Sequence, residues 1–456
     1  MKKTIFLLLI LVMICTLVGC VSNNESEFSS ELESNDEENI VEETTSSLHL
    51  TEIPEGYIGI YSVEDFEYIR TNSKYNYILM NDIDFTSVNE WEYIEILGTF
   101  DGNNYSINNY KQSNPLFNKC NGTIQNLNMK NAEVNGNAIL CSELSSYYSD
   151  VEKYLYPGEL INCSIEGTVN IVITQDNFKG AGGIVMYARS DAQDSENLPS
   201  INNYTFNGSI NADYTYDEYF INNGGNCALG GIVGYCDRCN ISECTSQGEI
   251  TFNETNMENN FDNLKINIGG ILGQAGVATL SNLKNEMNIA SNSKSINAAG
   301  IVGLSSTYFN STTVSECCNL GNITLSDSSE DVRAGGITAN FKSYYPVIYN
   351  CYNVGNITAG DAGGLSCCKA VLKYSYNAGQ VNGANKSGAI SCYICENIEY
   401  CYYLNNGLDV TGEGGKYPYV KALSELDMEN QTSFEGFDFD NVWTYSQGTY
   451  KYPVFI

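Results

Sequence analysis

The chain has 456 residues, and its 55 acidic residues against 22 basic ones give a formal net charge of −33 at pH 7. A polyanion of this kind repels phosphate backbones, so no nucleic-acid partner is expected. The single histidine, His49, leaves no imidazole for a Ser-His-Asp triad, a Cys-His dyad or a His-rich zinc site elsewhere in the chain.

Residues 1–19 are predicted to be a lipoprotein signal peptide. Two lysines precede an apolar run at residues 5–15 that is too short to span a bilayer comfortably. The sequence Leu-Val-Gly-Cys at 17–20 resembles a bacterial lipobox, which implies cleavage before Cys20 and attachment of a lipid to its thiol. The alternatives are an ordinary secretory signal and an N-terminal anchor helix. The expected location is the extracellular face of a cell membrane, with the lipid bilayer as the partner of the anchor.

Residues 20–52 are predicted to be a disordered acidic tether. The stretch from Val21 to Leu50 contains nine acidic residues and no basic one. Such a composition buries too little apolar surface to offset the conformational entropy lost on folding. We therefore expect this segment to act as a spacer between the anchor and the folded part of the chain.

Residues 53–120 are predicted to form an N-terminal cap and the first coils of a solenoid. Asp65 follows Ser62 by three residues, which is a helix-start signal, and Phe66 and Ile69 are spaced to lie on one apolar face. An open solenoid end exposes apolar side chains and unpaired backbone groups, so a covering element is expected there.

Two short patterns alternate through residues 121–405. The first is a pair of small residues followed by two apolar ones, as at 230–234 and 269–273. In the second, a marked residue precedes a glycine by four positions, as Cys244 precedes Gly248. Each pattern is predicted to be a strand of about four to seven residues, and short strands that cannot close a core alone predict stacking into a solenoid. Equivalent positions in successive coils then lie about 4.8 Å apart.

Two columns of residues are predicted to point into the core of the solenoid. Nearly all of their members are small or apolar, as inward-facing ladders require. The column of marked residues contains Leu127, Cys163, Tyr204, Cys244, Leu283, Cys317, Cys351, Ser375 and Cys401. The column of the first pattern contains Cys141, Met186, Gly234, Gly273, Gly303, Ala339, Cys367 and Cys392.

The 17 cysteines are predicted to be mainly core residues. Those in the two columns are expected to pack as small apolar side chains, with disulfide formation as the alternative. Cys239 and Cys395 lie off the columns and are the expected oxidation sites. The pairs 236/239 and 392/395 have metal-ligand spacing, but several coils separate them, so no metal site and no cofactor are predicted.

Residues 406–456 are predicted to form a C-terminal cap.

The repeats resemble the GLUG motif of bacterial surface proteins, and the resemblance extends to segments 60–66, 77–85 and 437–443. It implies an all-β fold, a right-handed parallel β-helix capped at both ends, and it implies little about chemistry. The motif also occurs in IgA-cleaving metallopeptidases. This chain has no His-Glu-x-x-His sequence, so that activity does not follow from the resemblance.

A pair of carboxylates is the remaining catalytic option. Asp82 and Asp84 are predicted to stand on one face of a strand, and a β-helix glycosidase needs two carboxylates about 5 to 9.5 Å apart. Their position in the opening segment favours a structural role at a turn or cap, and the scarcity of Lys and Arg disfavours a lyase. No catalytic residue is therefore predicted, and the chain is expected not to be an enzyme.

Five tyrosines near the end of the repeats are the predicted binding residues. The residue after each marked core position should point outward, because side chains alternate along a strand. A column of phenol rings about 4.8 Å apart would offer a flat stacking surface to sugar rings or to aromatic residues of another protein. The alternative is that the ladder stabilises the β-helix or lies under a loop. The five residues are Tyr352, Tyr374, Tyr376, Tyr400 and Tyr402.

The function expected from the sequence is that of a cell-surface lipoprotein with an adhesin-like role. Its β-helix would bind an extracellular polysaccharide or a surface protein. Two alternatives stay open. One is a polysaccharide-degrading hydrolase or lyase on the same scaffold, and the other is a structural spacer that binds no ligand.

Overall fold

The structure is a computed structural model that describes residues 49–149, 154–174, 179–190, 197–215, 225–255, 264–307, 312–445, 448 and 450–456. The predicted signal peptide, Cys20 and the predicted tether up to residue 48 lie outside the described residues. In the described ranges, no helix combines the length and the apolar character needed to cross a bilayer.

The described part of the chain is a parallel β-helix, which confirms the predicted fold class. Up to residue 120 the strands are β1 (Tyr57–Ile60), β2 (Asn76–Leu79), β3 (Ile83–Asp84), β4 (Ile94–Ile96), β5 (Thr99–Asp101), β6 (Ser106–Asn108), β7 (Lys111–Gln112) and β8 (Phe117–Cys120). Then follow β9 (Thr123–Gln125), β10 (Asn128–Val134), β11 (Cys141–Ser145), β12 (Tyr147–Ser149), β13 (Tyr154–Tyr156), β14 (Glu159–Ile173), β15 (Gly180–Gly182), β16 (Val185–Arg189), β17 (Ser200–Thr215), β18 (Gly225–Gly230), β19 (Val233–Ser242) and β20 (Thr245–Thr255).

The second half of the rod continues in the same way. Its strands are β21 (Leu264–Gly269), β22 (Leu272–Ser281), β23 (Lys284–Ser291), β24 (Ile296–Ala299), β25 (Val302–Thr307), β26 (Thr313–Ser315), β27 (Cys318–Asn319), β28 (Ile323–Leu325), β29 (Val332–Gly335), β30 (Thr338–Ser343), β31 (Val347–Tyr349), β32 (Tyr352–Asn353), β33 (Ile357–Gly363), β34 (Val371–Lys373), β35 (Tyr376–Asn377), β36 (Val381–Gly388), β37 (Asn397–Glu399), β38 (Cys401–Leu404), β39 (Val420–Leu423), β40 (Trp443–Tyr445) and β41 (Pro453–Phe455). Two short helices, α1 (Glu67–Thr71) and α2 (Glu425–Met428), and two 3-10 turns, Val63–Phe66 and Gln431–Ser433, complete the described elements.

A complete coil has four faces, which we call A, B, C and D. The strands of the coils pair in parallel with the strand on the same face of the next coil, as β20 pairs with β23 and β21 with β24, whereas β12 and β13, and β40 and β41, form antiparallel pairs outside the coils. In the coil that starts at residue 240, face A is 240–242, face B is β20, face C is β21 and face D is 272–275.

The first repeated pattern forms the corner between faces C and D, and the expectation that it is a single strand is wrong. β21 ends at Gly269 and β22 begins at Leu272, so Gly270 and Ile271 make the turn. A Cβ on Gly270 would lie 2.1 Å from Oδ1 of Asn285. At Gly270, Gly300, Gly336 and Gly364 the second small residue is glycine because a buried amide of face B occupies the space of its side chain.

The second repeated pattern forms the corner between faces A and B. The residue before each marked position has a left-handed backbone, with φ of 56° at Asn162 and 55° at Glu243. Asn tolerates this conformation better than most residues. The reversal turns the following marked residue into the core.

The predicted column of marked residues is confirmed as a core ladder. Cys163 pairs with Tyr204 in register, and the exposed fraction of every member from Leu127 to Cys401 is 5% or less. The column of the first pattern is buried as well, except at one position. That position is Met186, which is only partly buried. Cys141 is buried but is one residue out of register with the other members, because it pairs with Val185, whereas Met186 aligns with Gly234.

A row of buried amides lies under face B. The Nδ2 of Asn285 donates to Oδ1 of Asn319 at 2.6 Å, and the same bond repeats at 2.7 Å from Asn319 to Asn353 and from Asn353 to Asn377. Buried polar groups are costly unless they are hydrogen-bonded. Because each amide needs its neighbour at this position, the row holds four coils in register.

The two ends of the described chain are built differently. At the N-terminal end, the first 3-10 turn starts with the predicted Ser62–Asp65 capping box, and Phe66 and Ile69 are buried in the core. At the C-terminal end, β39 adds one more strand to β38. The chain after β39 then folds back along the outside of face B, where Trp443 packs against Tyr352.

Candidate ligand-binding groove

Three of the five predicted tyrosines are buried, so the prediction that they form an exposed column is wrong. Tyr352, Tyr376 and Tyr402 do stand in register on face B, and the rings of Tyr352 and Tyr376 are nearly parallel at 5.2 Å. The C-terminal segment covers them, with Trp443 5.9 Å from the Tyr376 ring and Phe434 5.0 Å from the Tyr402 ring. These rings anchor that segment by packing.

The other two predicted tyrosines lie on the corner between faces A and B. Tyr374 and Tyr400 each have φ of 50°, an unusual conformation for a bulky residue, and their rings stack at 5.7 Å. Tyr419 extends the stack, and its ring lies 5.1 Å from that of Tyr400. A Cβ on Gly436 would lie 2.9 Å from the Tyr400 ring, so the C-terminal segment also touches this pair. Both rings remain partly exposed.

The two carboxylates considered for catalysis have structural partners. Asp82 accepts a hydrogen bond from the backbone N–H of Ser106 at 2.7 Å. Asp84 accepts from the backbone and the hydroxyl of Thr86 and from Nδ2 of Asn109. The bonds from Thr86 and Asn109 lower the pKa of Asp84. Asp84 stabilises a turn and Asp82 links two coils, which agrees with the structural role that their position favoured.

The cysteines in the described ranges divide into two disulfides and a set of buried thiols. Cys239 pairs with Cys236, as its expected oxidation implied, whereas Cys395 is a free thiol. Cys367 and Cys392 form a disulfide between adjacent coils, with their Cα atoms 4.8 Å apart. The expectation that these two ladder residues pack as thiols is therefore wrong, because the register of face D places them close enough to pair.

Polar side chains meet on the outer side of the corner between faces C and D. Asn267 lies between the core residues Ile266 and Ile268, so its amide points away from the core. It donates to Oε1 of Gln274, which lies beyond the corner and beside the core residue Ala275, at 3.3 Å. Two outward side chains can meet in this way only if the outer surface of the corner is concave.

This concave corner recurs in successive coils and forms a groove, which we call the C–D groove. Its seven steps between coils give a length of about 34 Å. The wall from face C consists of Ala228, Asn267, Asn297, Arg333, Asp361 and Lys386. The wall from face D consists of Tyr187, Tyr235, Gln274, Leu304 and Asn340, and, at the same position of later coils, Cys368, Tyr393 and Glu413.

The middle of the C–D groove contains a pocket of about 160 Å³ with an amide floor. Asn340 donates to Oδ1 of Asn297 at 2.9 Å, and Asn297 donates to Oδ1 of Asn267 at 2.8 Å. The chain of bonds holds each amide in one orientation, so the pocket is polar and rigid before any ligand arrives. Its lining is Asn226, Lys265, Asn267, Ser295, Asn297, Leu304, Asp331, Arg333, Asn340 and Lys342.

A cluster of ionisable groups occupies the C-terminal end of the groove. Asp361 is fully buried, its Oδ2 accepts from the hydroxyl of Tyr393 at 2.6 Å, and its Oδ1 has no hydrogen-bond partner. The Nζ of Lys386 lies 3.9 Å from Asp361 Oδ2 and 3.3 Å from Glu413 Oε1. The same ammonium lies 4.3 Å from the centre of the Tyr393 ring.

The neighbours in this cluster keep both of its weak acids protonated. Burial raises the pKa of the Tyr393 phenol, and its bond to Asp361 raises it further. Burial alone would lower the pKa of Lys386, but Tyr393, Glu413 and Asp361 outweigh that effect and the pKa is raised. At neutral pH the Tyr393 phenol and the Lys386 ammonium are therefore both protonated. Each can act as a proton donor, and neither can act as a base.

Aromatic rings occupy the other end of the groove. The rings of Tyr187 and Tyr235 lie 5.1 Å apart on adjacent coils of face D. The Nζ of Lys179 lies 5.5 Å from the Tyr187 ring. Arg189, two residues beyond the wall position, forms an ion pair of 3.1 Å with Glu143. Aromatic faces, fixed amides and paired charges thus follow one another along a single groove.

A larger concavity, of about 550 Å³, lies near the N-terminal end. It is bounded by the loop 89–93, which is held by a 3.3 Å bond from Asn114 to the carbonyl of Trp91 and a 3.1 Å bond from Arg70 to that of Tyr93. Its lining brings together no buried ionisable group and no row of amides. We therefore take the C–D groove as the candidate site.

A signal for this groove was present in the sequence. Each residue of the face C wall stands two positions before the first small residue of a corner, as Asn267 stands before Gly269. This position is polar in five successive coils, from Asn267 to Lys386. The alternation rule that pointed to the tyrosines applies equally at this position. It was missed because the corner was taken for a strand.

Comparison with known proteins bears on the fold. Neither a protein-family model nor a curated protein matches the chain. A solved structure described as a putative immunoglobulin A1 protease from Bacteroides ovatus is 18% identical, with a TM-score of 0.39 over 87% of this chain and 91% of that one. A second, described as IgA1 Protease, is 19% identical, with a TM-score of 0.43 over 71% of this chain and 22% of that one.

The names of these two structures contradict one prediction. The expectation that the chain is not an enzyme is contradicted, because these two structures are named as proteases. At these identities and TM-scores the likeness assigns no protease activity to this chain. The resemblance to GLUG-motif surface proteins stays a prediction.

Proposed function

We propose that the protein is a cell-surface lipoprotein that binds an extracellular glycan in the C–D groove. The observation that carries this proposal is the hydrogen-bonded row Asn340–Asn297–Asn267–Gln274 at the floor of a concave surface. Asn267 is fully buried and Gln274 and Asn297 are nearly so, and they fix the orientation of the partly exposed Asn340, whose amide can bond to a sugar hydroxyl without a loss of side-chain entropy on binding. The Tyr187 and Tyr235 rings in the same groove would add stacking surface.

A block in the pocket tests the site. Ser295 lines the pocket and is partly exposed, so Ser295→Trp would fill it. The matched control is Thr324→Trp, because Thr324 is exposed on β28 of face B. We expect Ser295→Trp to lower retention on a glycan array at least tenfold while Thr324→Trp binds as the wild type does. Equal retention by both variants would place the ligand elsewhere.

The anchor is tested separately. Cys20→Ser should abolish incorporation of a labelled fatty acid and release the protein into the medium. The acidic stretch after Cys20 supports a tether that holds the β-helix away from the membrane. Unchanged labelling of the Cys20→Ser variant would remove the lipoprotein assignment and leave the groove proposal untouched.

A second candidate function is cleavage of the bound glycan. The Asp361–Tyr393–Lys386–Glu413 cluster supports it, because the Tyr393 phenol and the Lys386 ammonium are fixed proton donors in the groove that would hold the glycan. Release of new sugar chain ends by the purified protein would be measured. Tyr393→Phe should abolish that release with retained binding, and Tyr419→Phe, a change at an exposed tyrosine outside the groove, should not affect it.

A further inference from the structure

The pocket in the C–D groove concentrates positive charge in a strongly acidic protein. Three of its ten lining residues are basic, Lys265, Arg333 and Lys342, and one, Asp331, is acidic. In the whole chain acidic residues outnumber basic ones by 55 to 22. The local balance is thus the reverse of the global one.

The two lysines of the pocket lack the partners that most other cations of the rod have. On the outer surface, Lys119 pairs with Glu143 and Lys284 with Glu286. Within the described ranges, neither Lys265 nor Lys342 forms a salt bridge, and both side chains are exposed. Their charge is therefore available to a ligand.

Arg333 adds a third cation, which lies in register beside the buried Asp361 of the next coil. Its Nη2 lies 3.6 Å from Asp331 Oδ1, beyond the distance of a good hydrogen bond, and its Nε is buried without a partner. The register places Arg333 directly beside Asn297, whose amide belongs to the floor row. A donor group that is not saturated thus borders the row of fixed amides.

We infer that the C–D groove takes an anionic polysaccharide, whose carboxylate or sulfate groups lie against Lys265, Arg333 and Lys342. This inference rests on the proposed glycan-binding function and specifies its ligand class. The amide floor matches the hydroxyl groups of a sugar. The three cations border this floor and match the acidic groups that flank those hydroxyls along the polysaccharide. An acidic peptide could bond to the same cations and, through its backbone, to the amides, so poly-glutamate is part of the test.

The net charge of the protein does not oppose this ligand. Exposed charges more than about 8 Å apart are largely screened at physiological salt, so the pocket acts through its own cations. A nucleic-acid duplex is different, because tight binding requires phosphate contacts spread over a broad surface. A single sugar chain in a groove needs few cations, and the groove supplies them in line.

The test compares polymers that differ in charge alone. We would measure binding of the purified protein to polygalacturonate and to its fully methyl-esterified form, and to chondroitin sulfate and its desulfated, methyl-esterified form. At least one acidic polymer should bind at least tenfold more tightly than its neutral partner, and that binding should weaken between 50 and 300 mM salt, on the order of tenfold.

Two double variants connect this effect to the pocket. Lys265→Ala with Lys342→Ala should lower affinity for the acidic polymer about tenfold or more. Lys130→Ala with Lys416→Ala changes the net charge by the same amount at exposed lysines outside the pocket, and it should leave binding unchanged.

Each outcome has a distinct consequence. If the acidic and neutral polymers bind equally and Ser295→Trp blocks both, the inference is overturned and the proposed function stands. If neither acidic nor neutral polymer binds and the glycan array is also blank, both fail. If poly-glutamate binds as tightly as the acidic polysaccharides with the same dependence on Lys265 and Lys342, the ligand is an acidic protein and the polysaccharide assignment is refuted.

Discussion

Replacing Asn319 by alanine should strongly destabilise the rod, because it removes the middle of the buried amide row. The Asn319 side chain accepts from Asn285 at 2.6 Å and donates to Asn353 at 2.7 Å and to the carbonyl oxygen of Gly321 at 3.0 Å. All of these contacts lie in a region from which water is excluded, since Asn285, Asn319 and Asn353 have no exposed surface.

The magnitude follows from counting the groups that lose a partner. Three hydrogen bonds at about 1 kcal/mol each, plus about 1–3 kcal/mol for buried partners left unsatisfied, give a loss of about 4–6 kcal/mol in the free energy of unfolding. The cavity left by the amide adds to this, because neighbouring coils are held in register and relax little.

Urea-induced unfolding, followed by far-UV circular dichroism, measures the loss. The control is Asn322→Ala in the same coil, because Asn322 also bonds to an asparagine of the preceding coil, at 3.3 Å, but is exposed. Water can replace that bond, so the control should cost less than about 1 kcal/mol. If the two variants lose the same free energy, burial is not what makes the row stabilising and the reasoning is refuted.

Three further predictions concern other parts of the molecule. Tyr376→Ala should lower the free energy of unfolding by about 3–5 kcal/mol because a fully buried ring is lost, whereas Tyr68→Ala at an exposed ring should change it little; equal melting temperatures would contradict this. Replacing Cys367 and Cys392 together by serine should cost about 3 kcal/mol through the lost cross-link, measured by thermal unfolding of oxidised protein, and no change would mean that the bridge is absent in solution. Burial raises the pKa of Cys244 from 9.0 to about 12, so between these values the thiol ionises in the unfolded chain but not in the folded one. The free energy of unfolding should therefore fall as the pH rises from 9 towards 12, and a profile that does not change with pH would argue against buried thiols.

The stacking of the coils was predictable because a parallel β-helix repeats the same contact at each step. A residue such as Cys244 has its own equivalent above and below it, so a column of small and apolar residues in the sequence is a column in space. The same logic could have predicted the face C wall of the groove, where Asn297 and Arg333 occupy equivalent positions. Taking the Gly-Gly-Ile pattern for a strand hid it.

The sequence by itself determined the coil register and the identity of the core ladders, because both depend on contacts between equivalent residues about 4.8 Å apart. The tertiary structure alone decided which outward columns are exposed. Tyr376 faces outward by alternation, yet it is buried, because a segment nearly 80 residues later folds back over it. The Tyr376 hydroxyl donates a hydrogen bond to the carbonyl oxygen of Pro453 in that segment. Exposure depends on what packs over a face, and no local pattern encodes the position of a distant segment.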